Sequence, residues 1–217
     1  MPSLHLVTIV GLSVSSNLDN VGVGVSYGLR NINVPFASNL LIAGVTASGT
    51  LLSIVLGQAI YRGLSPPLTA VLGGGLIIAA GIWVLAQEAV MRRGRERPDD
   101  RRPRADTARS RWGFRQIITI LNHPLLADQD FSGHIDPREA TALALGLTLN
   151  NIPNGLGAGL LGLNAWLTTS AVFLLSIITI WVGISGGHLG YRRLGRSTGL
   201  IGGWLLIVIG MYEVVFQ

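Results

Sequence analysis

Cysteine is absent from the 217 residues. That excludes disulfides, a thiolate metal site and a cysteine nucleophile. Lysine is absent too, so all 16 basic residues are arginine. Charge is scarce, at 12% of residues, and unevenly placed. The stretch from Arg92 to Glu139 holds 19 of the 27 charged side chains. Elsewhere the chain carries only Asp19, Arg30, Arg62, Glu88, Arg192, Arg193, Arg196 and Glu213. Roughly a quarter of a soluble domain is charged. Most of this chain therefore faces lipid, not water.

The net charge of +5 would suggest nucleic acid in a soluble protein. Here the arginines flank apolar runs, where positive-inside topology accounts for them and no nucleic-acid partner is expected. No signal peptide is expected, because nothing basic precedes the first apolar run and that run carries an aspartate in its middle.

Crossing ~30 Å of hydrocarbon takes about 20 apolar residues in a helix. Six runs qualify, at 4–28, 37–61, 66–90, 139–163, 166–188 and 198–216. The expected fold is an all-α membrane protein of six transmembrane helices. Glycine is frequent (29 residues), including Gly73-Gly74-Gly75 and Gly202-Gly203, and lets helices approach closely in lipid. Arg30, the cluster after Arg92, and Arg192, Arg193 and Arg196 lie in alternate connections. Those loops are expected in the cytoplasm and both termini outside, in a plasma-membrane protein. Residues 92–127 read as a basic, disordered linker that sets topology, with binding to anionic headgroups as an alternative.

The halves match in order. Asp19 aligns with Asn150, Thr50–Gly57 with Ser176–Gly183, and Gly81 with Gly210, at offsets of 131, 126 and 129. Three spans per unit force the second copy to enter the membrane from the other side. Residues 1–91 and 139–217 thus read as two inverted three-helix repeats, the plan of secondary transporters with a midplane site between the halves. A duplication that retains no transport is the competing reading.

Asp19 lies at the middle of the first span. An acid at that depth is costly and usually marks an ion or proton path. Asn20 adjoins it, and Asn150, Asn151 and Asn154 lie at the matching depth of span four. Carboxylate and amide oxygens are hard ligands suited to Mn²⁺, Mg²⁺ or Ca²⁺. Pro153 is expected to loosen the backbone between Asn150 and Asn154. An amide–carboxyl network that only ties helices together is the alternative. Glu88 and Glu213, near span ends, read as interfacial anchors. No histidine lies mid-span beside a serine, and Asp19 has no second aspartate at its depth, so an intramembrane protease, or any enzyme, is not expected.

Residues 128–139 follow the order of an EF-hand loop. Asp128, Asp130, Ser132, Asp136 and Glu139 would supply oxygens and His134 its carbonyl, with Gly133 at the turn. Ca²⁺ or another divalent cation is the expected ligand. Asp136, Pro137 and Glu139 also read as a helix start that needs no metal, as N-cap, N1 and N3.

Leu18-Asp19-Asn20, Gly24–Arg30 and Asp128–Ala140 together resemble the YtaF-type sporulation membrane proteins, relatives of the MntP manganese efflux pumps in the LysE-like exporter superfamily. The resemblance spans essentially the whole chain. It implies two inverted three-helix repeats exporting Mn²⁺ through paired intramembrane aspartates. Asp19 matches the first of these; the second falls on Asn150, and one carboxylate neutralises less of a divalent cation than two. The expected function is cation export by alternating access, with lipid and a metal cation as partners and a homo-oligomer compatible with the sequence. A non-transporting scaffold or Ca²⁺-responsive membrane protein is the alternative.

Overall fold

A computed structural model describes residues 2–63, 65–95, 120, 127–128, 130, 132–189, 204, 207–208 and 211. The helices are α1 (Pro2–Ser15), α2 (Leu18–Gly28), α3 (Phe36–Tyr61), α4 (Pro66–Arg95), α5 (Pro137–Leu160) and α6 (Ala165–His188). The described residues form no strand; one isolated bridge joins Asn33 to His134. The side chain of Glu88, most of the basic linker, Arg192, Arg193, Arg196, Glu213 and nearly all of the expected sixth span lie outside the described residues.

Among the described residues, three segments are long and apolar enough to cross a membrane: Leu6–Gly28, Phe36–Tyr61 and Ala165–His188. The protein is thus a multi-pass membrane protein. Its faces are inverted relative to a soluble domain. On α6 the buried positions are Thr168, Val172, Ser176, Ile180, Gly183 and Gly187, whereas Leu174, Ile178, Trp181 and Val182 are exposed. α3 repeats the pattern, burying Thr46, Thr50 and Ser53 and exposing Leu52, Val55, Leu56 and Ile60. With hydrocarbon outside, bulky side chains gain nothing by turning inward, while hydroxyls and small residues must.

One of the expected spans is less apolar. α5 carries Asn150, Asn151 and Asn154 yet is mostly buried, because it is walled by other helices rather than by lipid. Within α4 the described apolar stretch runs over Val71–Ala86. α4 also stays helical through Arg95, into the stretch 92–127 that reads as linker.

The first span differs more. It was expected to be one helix, but it breaks after Ser15 and restarts at Leu18. The cause is local. The Asn17 side chain donates to the Ser13 carbonyl at 2.8 Å, and the Asn17 backbone N–H turns to Val14 O at 3.1 Å. A polar side chain competing for helix carbonyls ends the helix. Pro153, where loosening was expected, leaves α5 helical on both sides.

Every extensive helix–helix packing among the described residues joins one half of the chain to the other: α2 with α6, α3 with α5 and α6, α4 with α5, and α1 with α6. Glycines set the closest approaches. A Cβ added at Gly24 would stand 2.9 Å from the Gly183 Cα, and one at Gly28 2.9 Å from the Gly187 Cα. Across α3 and α5, a Cβ at Gly57 would stand 2.9 Å from the Gly159 Cα. Overpacking of this kind costs about 1–3 kcal/mol. Gly24→Leu should therefore lower the melting temperature of the detergent-solubilised protein by several degrees. Gly44→Leu, at a position with open space around it, should leave it near the original value.

Candidate functional site

The break in the first span places Asp19 in the first turn of α2. There the unpaired N–H groups and the helix dipole favour a negative charge. Across the helix interface, Asn150 of α5 donates from Nδ2 to Asp19 Oδ2 at 3.0 Å. The backbone N–H of Asn20 donates to Asp19 Oδ1 at 2.8 Å.

The surrounding amides are oriented alike. Asn20 Nδ2 donates to Asn17 Oδ1 at 2.9 Å and to Ser176 Oγ on α6 at 3.1 Å. Asn154 Nδ2 donates to Ser16 Oγ at 3.0 Å. Asn17 Nδ2 also reaches Val172 O, at 3.3 Å. Protein groups thus receive the N–H donors of Asn20, Asn150 and Asn154, while their amide oxygens, and that of Asn151, are buried without a hydrogen-bond partner. An unsatisfied buried acceptor costs about 1–3 kcal/mol. These four acceptors, on residues adjacent in sequence or hydrogen-bonded to the break and to Asp19, are ones that a cation, a proton or water would relieve. Asn20 and Asn151 are almost fully buried, and Asp19 and Asn150 are half-buried.

Asn17 and Ser16 have larger parts than their sequence positions suggest. Asn17 organises the helix break, and Ser16 fixes the rotamer of Asn154. The signal was present in Ser15-Ser16-Asn17, a polar triplet in the middle of an apolar run.

The second group of candidate residues lies at the other structural landmark, the start of α5. Carboxylate oxygens of Asp128, Asp130 and Glu139 lie within 4.8 Å of one another. Gly133 adopts φ +75°, the left-handed conformation its turn needs. Ser132 donates its backbone N–H to Asp130 Oδ1 at 2.9 Å. These Ser132 interactions, that of the side chain foremost, hold the exposed Asp130 carboxyl below the usual carboxylate range. The remaining candidates are otherwise engaged. The Ser132 hydroxyl donates to the His134 carbonyl at 3.0 Å. Asp136 caps α5, accepting from Glu139 N at 2.8 Å, while Glu139 Oε2 accepts from Asp136 N at 3.2 Å. Both halves of the capping box are formed, with Pro137 opening the helix.

The cap separates Asp136 from its neighbours by a simple substitution. Asp136→Ala should cost about 1 kcal/mol of stability, and Asp136→Asn, which keeps an acceptor, close to nothing. Thermal unfolding of the purified protein measures both.

With the geometry in view, comparison with known proteins places the chain. A profile of the family described as "Putative manganese efflux pump" matches residues 120–213. That range takes in the loop before α5, Asn150, Asn151 and Asn154. The "Probable sporulation protein YtaF" of Bacillus subtilis (strain 168) is 29% identical over 212 residues, covering 97% of this chain and all of that protein. No solved structure matches. The chain is thus similar to YtaF along nearly its whole length and to the manganese efflux pump family, MntP, over residues 120–213.

Proposed function

We propose that this protein exports a hard divalent cation of the Mn²⁺ class, through a midplane site formed by Asp19, Asn20, Asn150, Asn151 and Asn154. One observation carries the reading: a carboxylate in the first turn of α2 accepts from the amide of Asn150, and Asn20, Asn150, Asn151 and Asn154 each keep a buried amide oxygen that no protein donor satisfies. Oxygen donors of this kind suit a hard cation. The description of the matching family names manganese.

Two inverted repeats, rocking about that site, would supply alternating access. Packing detail supports the repeat. At the offset of 131 that relates Asp19 to Asn150, Gly24 and Gly28 on α2 become Gly155 and Gly159 on α5. Both sets press against a helix of the opposite half. The helix ends correspond as well. Ile32 N donates to Tyr27 O at 3.0 Å and Asn31 N to Gly28 O at 3.2 Å. Leu163 N donates to Ala158 O at 3.1 Å and Gly162 N to Gly159 O at 3.0 Å. Each is a Schellman end with one left-handed residue, Asn31 at φ 56° and Gly162 at φ 68°. Asn31 and Gly162 are again 131 residues apart. Six spans, cytoplasmic Arg-rich connections and outward termini complete the proposal.

Protons are the natural counter-ion. Asp19 would take up a proton as the cation leaves, so the carboxylate is never left charged and unpaired in lipid. The single acid sets this chain apart from a two-aspartate site and implies weaker cation binding.

The test is the manganese content of cells challenged with Mn²⁺. Cells producing the protein should hold less than cells without it, and Asp19→Asn should remove the difference. Asn150→Asp, which restores a second carboxylate, should deepen it. Equal manganese content with and without the Asp19 carboxyl overturns the proposal.

A further inference from the structure

The loop before α5 carries chemistry that export does not use. Asp128 and Glu139 are 7% and 4% exposed, and their carboxylate oxygens converge with those of Asp130 within 4.8 Å. Asp128 Oδ1 is sealed from solvent and has no hydrogen-bond partner. Burying an acid against two other acids is unfavourable unless a cation compensates. An apolar setting holds the group in place. Ala127 and Ile135 are fully buried, and both share a cluster with Tyr27, Ile32, Ile42 and Leu143.

We infer that Asp128, Asp130 and Glu139 form a Ca²⁺ site that clamps the start of α5 to the α2–α3 connection. Ion size and rigidity of coordination bear on the choice. Oxygens on one Ca²⁺ sit about 2.3–2.6 Å from it, so opposite donors are about 5 Å apart. Mg²⁺, at about 2.0–2.1 Å, brings opposite donors to about 4 Å and tolerates little distortion. The Asp128, Asp130 and Glu139 oxygens, within 4.8 Å of one another in a loop with EF-hand order and a left-handed Gly133, can share one such ion, and the tolerance of Ca²⁺ for irregular geometry suits a loop site. Three protein carboxylates leave several positions for water, since Ca²⁺ takes about 6–8 oxygens.

The clamp follows from the hydrogen bonds around the loop. Ile135 N donates to Asn33 O at 2.9 Å, and Asn33 N to Gly133 O at 2.8 Å. Ser38 Oγ at the start of α3 donates to Ile135 O at 2.7 Å. A cation on this loop thus fixes three connected pieces: the end of α2, the start of α3 and the start of α5. Asp136 is not a ligand in this assignment; it serves the cap. The site is independent of the midplane residues and stands whether or not Asp19 moves an ion.

Calorimetric titration of the chelator-treated, full-length protein in detergent with CaCl₂ tests the inference. One saturable Ca²⁺ is expected, in the unmodified chain and in Asp19→Asn alike. Asp130→Asn should weaken it at least tenfold, and Asp128→Asn should remove it. Asp130 is exposed, so its variant folds normally, and a Ca²⁺-induced rise in melting temperature should be lost in it. No saturable Ca²⁺ binding by the unmodified chain would overturn the assignment. So would binding unchanged in both Asp130→Asn and Asp128→Asn, or binding of Mn²⁺ without Ca²⁺.

Discussion

Polar groups inside lipid must be satisfied by the protein itself, and this constraint shapes the molecule around the contact between Asp19 and Asn150. A carboxylate at that depth demands nearby donors. The first-span break supplies one set, the free N–H groups of α2, and α5 supplies the amide. The rest of the interior follows the same logic. Ser176 receives Asn20, Ser16 receives Asn154, and Gln58 Nε2 donates to Leu163 O at 2.8 Å. Hydroxyls without a cross-helix partner, such as Thr50 and Thr148, bond back to their own helices. On α3 and α6 many bulky apolar side chains are left to face outward, while others, such as Ile42 and Ile54, fill the core between helices.

Helices can come close enough for such short polar contacts only where side chains are missing. Gly24 and Gly28 meet Gly183 and Gly187 backbone to backbone, and Gly57 meets Gly159 in the same way. The glycines and the amides therefore serve one purpose. The first bring the backbones together, and the second use the proximity.

Much of this was legible in the sequence, for reasons that differ by element. The limits of α3 and α6 match the apolar runs closely, since both helices have lipid-facing sides and hydropathy reads that exposure directly. The cap of α5 was legible because Asp, Pro and Glu at fixed spacing specify it without tertiary help. The meeting of Asp19 with Asn150 could be anticipated from the offset that relates them. The break at Ser16-Asn17 could not, because averaged hydropathy is blind to one side chain seizing one carbonyl. Spacing read Asp136 both as helix cap and as ligand, since cap and ligand ask for the same residue type in the same place. Which helices pair across the molecule depends on arrangement in space, which no offset contains.

The pairing of halves has a consequence for how the chain is made. α1 to α4 leave the ribosome before α5 exists, yet each packs chiefly against helices of the second half. Until synthesis reaches residue 188, Asn17, Asn20 and Thr50 have no interior to occupy. The nascent first half must wait in the insertion machinery, or beside it, with its polar seam shielded by something other than the finished protein. The described interior of the first half is thus completed only when α5 and α6 close over it.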